Sequence, residues 1–100
     1  MTVNEILKKR NYYELSNTLN FNPDSVDNET ARKVRAIQAM FKNQDQLQYK
    51  HSAMLVLKLY LENDYTLQQI ADKLFISTRH VDRLKRQAIV LISRILEHAP

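Results

Sequence analysis

The chain has 100 residues, 44% of them hydrophobic, with 15 Lys or Arg against 11 Asp or Glu and neither cysteine nor glycine. That length supports one domain with a modest core. The missing cysteines exclude disulfides and thiolate metal sites, and the missing glycines exclude phosphate-cradling glycine loops and disfavour tight β-hairpins.

An all-α fold of about five helices is therefore expected. No apolar run approaches the roughly 20 residues that span a bilayer. Glu5, Lys8, Lys9 and Arg10 interrupt any signal-peptide core, so the sequence reads as a cytoplasmic protein with no membrane contact.

Thr2-x-x-Glu5 has the form of a capping box and opens a first helix that carries Val3, Ile6, Leu7, Leu15 and Leu19, with Tyr12 and Tyr13 extending its apolar surface. The segment 20–27 breaks it, because Pro23 cannot donate a helical hydrogen bond and Asn22, Asp24, Ser25 and Asp27 favour turns and caps. A second helix is predicted from Asn28 to Lys42, burying Ala31, Val34, Ile37 and one of Met40 and Phe41. After a turn at 43–46, a third runs from Leu47 to Glu62. Its Met54, Leu55, Leu57, Leu59 and Leu61 are too many for one narrow stripe, which makes it the central helix.

Asn20, Asn43 and Asn63 stand where apolar patterns stop. Asparagine is the most tolerant residue after glycine of the left-handed backbone that ends many helices, so these are the expected helix ends. Two uses are open for Tyr12 and Tyr13 and for the stripe Ala36, Ile37, Met40 and Phe41: core, or a dimer or partner surface. Core is favoured, since amphipathic helices must bury their faces somewhere.

The richest segment lies further on. Leu67, Ile70, Ala71 and Leu74 repeat at helical spacing, and a second stripe follows at Val81, Leu84 and Ala88. Between them Phe75, Ile76 and Ser77 make a three-residue turn. Ser77 is a good N-cap, Ala71 is small where two steeply crossing helices approach, and Ile76 fills the space between them. The pattern is that of a C-terminal helix-turn-helix. Organisation follows from it: residues 1–46 form an N-terminal helical region and residues 47–100 the helix-turn-helix region, within one compact domain.

Opposite the buried stripe of the second helix stand Arg79, Asp82, Arg83 and Arg86. From Ser77 to Arg94 there are five basic residues and one acid, a balance of +4 that equals the net charge of the whole chain. Charge is concentrated where a major groove would lie. The fixed donor fork of arginine suits guanine edges and phosphates, and a recognition helix presents its N-terminal residues to base edges. Thr78, Arg79, His80 and Arg83 are therefore assigned to bases. Lys85 and Arg86 are assigned to phosphates, and Ser77 to a phosphate through the amides of the helix start. Asp82 either accepts from a cytosine amine or orients Arg79 or Arg86.

The segment from about Leu55 to Leu96 resembles the fourth conserved region of bacterial sigma factors, and sigma-like phage regulators of the ArpU and RinA types. The resemblance is carried by Leu55, Leu59, Tyr60, Leu61 and Glu62, then by Tyr65, Thr66, Leu67, Ile70, Ala71, Ser77, Val81, Leu84 and Ala88 in order. Leu74 to Ser77 also resemble the turn of the LuxR-type output domain. Either resemblance implies that the helix after Ser77 enters the major groove. Gln69, where many sigma sequences carry glutamate, and Asn63-Asp64, where glycine is usual, depart from the sigma pattern.

The function that follows is a sequence-specific, sigma-like transcription regulator of a phage or mobile element, with double-stranded DNA as partner and RNA polymerase as a further one. Two alternatives from other classes are a DNA-packaging or replication adaptor resembling a small terminase subunit, and a protein-interaction module. The apolar tail Ile89, Leu91, Ile92, Ile95 and Leu96 leaves two arrangements open, a homodimer or packing back on the first helices. Catalysis finds no support: His51, His80 and His98 are far apart, His-Glu-x-x-His is absent, and no Ser or Thr has a supporting nucleophile motif. No cofactor and no metal are expected.

Overall fold

The computed structural model describes residues 1–42 and 51–97, and among them it contains six α-helices and no strand. The predicted first helix is two helices, α1 (Val3–Ile6) and α2 (Lys9–Phe21), separated at Leu7 and Lys8. The reason lies in the helical phase. At roughly 100° per residue, Val3, Ile6 and Leu7 point to nearly the opposite side from Tyr12, Leu15 and Leu19. One straight helix could not bury both sets. Lys8 adopts extended backbone (ψ 136°) and resets the phase, after which Val3, Ile6, Leu7, Tyr12 and Leu19 are all buried. The Asn11 amide seals the gap by donating to the Glu5 carbonyl at 2.8 Å.

Thr2 is the N-cap of α1, accepting from the Glu5 amide at 3.3 Å, while its hydroxyl donates to the Glu5 carboxylate at 2.9 Å. That second bond holds the Glu5 carboxyl below its usual value. A single 3-10 turn at Pro23–Ser25 leads to α3 (Asn28–Lys42), whose bounds are those predicted. Asp27 caps α3 by accepting from the Thr30 amide at 2.9 Å, a bond that depresses its carboxyl pKa. Both carboxylates stabilise the fold at neutral pH, and the contribution is lost as pH falls through their depressed values.

Ala31, Val34, Ile37 and Phe41 of α3 are buried, and Phe41 meets the Tyr12 ring edge-on at 6.1 Å between centroids. Met40 and Ala36 are half-buried, so the stripe that could have been core or partner surface is chiefly core. Burial also raises the Tyr12 hydroxyl pKa, with the Glu62 charge adding to the effect. Tyr13, its neighbour, is exposed.

The turn expected at 43–46, with Asn43, and the helix start at 47–50 lie outside the described residues. From His51 to Leu61 the chain is helical, and this α4 packs against α2, α3, α5 and α6. Its surplus of apolar residues serves two cores. Ala53, Met54, Leu57 and Leu61 join α1, α2, α3 and the later part of the last helix in the larger cluster. Val56 and Leu59 join Ile70, Ala71 and Val81 in a smaller one under the helix-turn-helix.

Among the described residues, left-handed backbone falls at Asp64 (φ 59°) and Phe75 (φ 58°), not at Asn20 or Asn63. Asn20 lies inside α2, which runs to Phe21, and Asn63 precedes the turning residue by one. At both left-handed positions an amide reaches back to complete the turn: Tyr65 N–H to the Leu59 carbonyl at 3.1 Å, and Ile76 N–H to the Ala71 carbonyl at 3.1 Å. Phe75 is 94% exposed, so no packing offsets the strain of its Cβ. Phe75→Gly should therefore raise stability by up to about 1 kcal/mol, read as an upward shift of the melting temperature. A lower melting temperature would show that the ring packs against a neighbour.

Candidate nucleic-acid interface

The helix α5 (Leu67–Leu74) begins at a complete capping box. Thr66 accepts from the Gln69 amide at 3.1 Å and its own amide donates to the Gln69 side chain at 2.9 Å. Gln69, a departure from the sigma pattern, thus accepts the same bond that a glutamate would accept there. Ile70 and Ala71 are buried, and Leu67, Leu74 and Ile76 pack around them half-exposed. After the turn, Ser77 caps α6 (Thr78–Glu97) by accepting from the His80 amide at 3.1 Å.

This last helix is long enough for two tasks. Val81 anchors its start in the smaller cluster, while Ala88 and Ile92 are buried in the larger one with Val3 and Ile6 of α1 and the following Leu7. Ile89 and Leu96 also pack there, half-buried, so most of the apolar tail folds back on the first helices. Val90 and Ile95 remain exposed.

Opposite that anchored face, Arg79, Arg83 and Arg86 line an open depression of about 580 Å³ along α6, together with Asp82, Gln87, Val90, Leu91 and Arg94. Arg94 is an addition to the contacts expected from sequence, although it follows Arg83 by eleven residues, close to three full turns on the same side. The Asp82 carboxylate lies 3.0 Å from the Arg86 guanidinium, one of its expected partners.

Thr78 and His80 are exposed in the first turn, beside the arginine face. Lys85 is placed elsewhere. Its side chain is 20% exposed, and its nitrogen sits 4.5 Å over the Tyr60 ring and 3.9 Å from Asp82. The position follows Val81 by four residues, on the inward flank of the helix, and Tyr60 supplies the surface that draws the ammonium there.

The geometry is that of a helix-turn-helix whose second helix turns a cationic face outward from a packed base. Residues 52–93 match the family model for Sigma-70, region 4. This segment is a sigma-region-4-like helix-turn-helix. No curated protein and no solved structure matches the chain. The region-4-like unit takes in α5 and most of α4 and α6, and leaves α1, α2 and α3 outside it. None of the helices described is long and apolar enough to cross a membrane.

Proposed function

We propose that the chain is a sequence-specific DNA-binding regulator of transcription that acts in the cytoplasm and reads the major groove with the start of α6. The observation that carries this reading is the outward row Arg79, Arg83, Arg86 and Arg94 on a helix whose other side is held by Val81, Ala88 and Ile92. Thr78, Arg79, His80 and Arg83 meet bases, and Arg86 meets phosphate in an orientation Asp82 sets. Ser77 caps the helix so that its first free amides face a phosphate.

Lys85, turned onto Tyr60, serves the fold and not the backbone of DNA. A single helix-turn-helix reads only a few base pairs, so RNA polymerase supplies the remaining affinity. The internal use of Ile89, Ile92 and Leu96 favours this over a homodimer built on the same tail.

Selection from a pool of random duplexes, with and without bacterial RNA polymerase, tests the proposal. Enrichment of a short motif, strengthened by polymerase, is the expected result. Recovery of no preferred sequence under either condition would end the reading as a sequence-specific regulator.

A further inference from the structure

The segment outside the family match has no assigned role, and its packing gives it one. Lys9, in the first turn of α2, reaches across to the turn between α4 and α5. Its ammonium lies 3.0 Å from the Asp64 carboxylate, donates to the Tyr65 carbonyl at 3.3 Å, and stands 4.6 Å over the Tyr60 ring. Lys85 of α6 stands over that same ring at 4.5 Å. Tyr60 is half-buried and packs against both hydrophobic clusters, so it bridges the two.

Two cations drawn to one ring would repel each other if nothing else held them. Each has its own acid at its outer end, Asp64 at 3.0 Å from Lys9 and Asp82 at 3.9 Å from Lys85. The row Asp64, Lys9, Tyr60, Lys85, Asp82 therefore alternates attraction from end to end. It ends on Arg86, 3.0 Å from Asp82 and on the exposed arginine face.

We infer that the N-terminal segment is an intramolecular brace for the recognition helix, in which Lys9 and Tyr60 are positioning residues that fix α6 and, through Lys85 and Asp82, Arg86. A second point of support lies further along α6, where α1 packs against it around Ala88 and Ile92. The inference rests on the DNA-reading role of α6 for its consequence, though not for its geometry. Base contacts require one pose of the helix, whereas attraction to phosphates tolerates many. Loosening the brace should then weaken specific binding and leave non-specific binding alone.

The experiment uses the full chain with Lys9→Met, Lys9→Arg and Arg83→Ala, a selected duplex and a random one, and the proton resonances of the Lys85 ε-methylene, which the Tyr60 ring shifts upfield. Lys9→Met should lower affinity for the selected duplex on the order of three- to tenfold. The slope of log affinity against log salt should not change, since Lys9 touches no phosphate. The Lys85 resonance should move, well below the melting temperature, in the absence of DNA. Lys9→Arg, which keeps the cation over the ring, should restore both.

An unmoved Lys85 resonance with unchanged affinity would overturn the brace. So would an affinity loss accompanied by a salt slope flatter by about 0.9, which would make Lys9 a phosphate ligand. If Lys9→Met is silent on DNA while Arg83→Ala weakens the selected site, the brace fails and the groove reading stands. If Arg83→Ala is silent while the Lys85 resonance still responds to Lys9→Met, the groove reading fails and the brace stands.

Discussion

Val81→Asp and Ile70→Asp each unfold the helix-turn-helix, and Arg83→Ala does not. Both apolar side chains are completely buried in the smaller cluster, where α4, α5 and α6 meet. Removing either forfeits about 1.5–3 kcal/mol of apolar burial. The carboxylate that replaces it finds only apolar neighbours among the buried residues of that cluster, and desolvating it adds several kcal/mol. The sum rivals the roughly 5–15 kcal/mol that holds a domain of this size together. A fall in melting temperature of roughly 20 °C or more is expected, or loss of the cooperative transition. Arg83, on the opposite face, should leave the melt within a few degrees of the parent. A native melting curve for Val81→Asp would mean that α6 is rotated by about a third of a turn from the orientation described.

The parts of this fold that are legible in the sequence are those decided within a few residues. Asp27 and Ser77 cap their helices because a short side-chain oxygen reaches an amide three positions on. Ala31, Val34 and Ile37 fall on one face because helical spacing puts them there. The break between α1 and α2 is present in the phase of Val3, Ile6 and Leu7 against Tyr12 and Leu19, but a list of apolar residues without their angles conceals it.

Other features depend on partners far along the chain. Lys85 is drawn inward by Tyr60, twenty-five positions earlier, and Lys9 by Asp64, fifty-five positions later. Left-handed backbone at Phe75 goes against local preference, and it falls at the turn between α5 and α6, which pack against each other. The arginine face itself is legible as offsets on one helix. Its extension to Arg94 requires that α6 continue unbroken to Glu97.

The DNA-binding substitutions should separate into four behaviours. Arg79→Ala or Arg83→Ala costs about 1–3 kcal/mol on the selected site and much less on random DNA, as expected for a guanidinium that bonds a base through two of its donors. Arg86→Ala weakens both kinds of DNA alike and flattens the salt slope by about 0.9, the signature of one phosphate no longer neutralised. Lys85→Met, by contrast, should leave the salt slope where it was, because its nitrogen is engaged with Tyr60 and Asp82. Asp82→Ala releases Arg86 and removes a negative charge from the cationic face, so non-specific binding should tighten while sequence preference blurs. Titration of each variant against both duplexes at several salt concentrations distinguishes these outcomes. If Lys85→Met flattened the slope as Arg86→Ala does, Lys85 would have to leave Tyr60 when DNA binds, and the row of alternating charges would be a feature of the free protein alone.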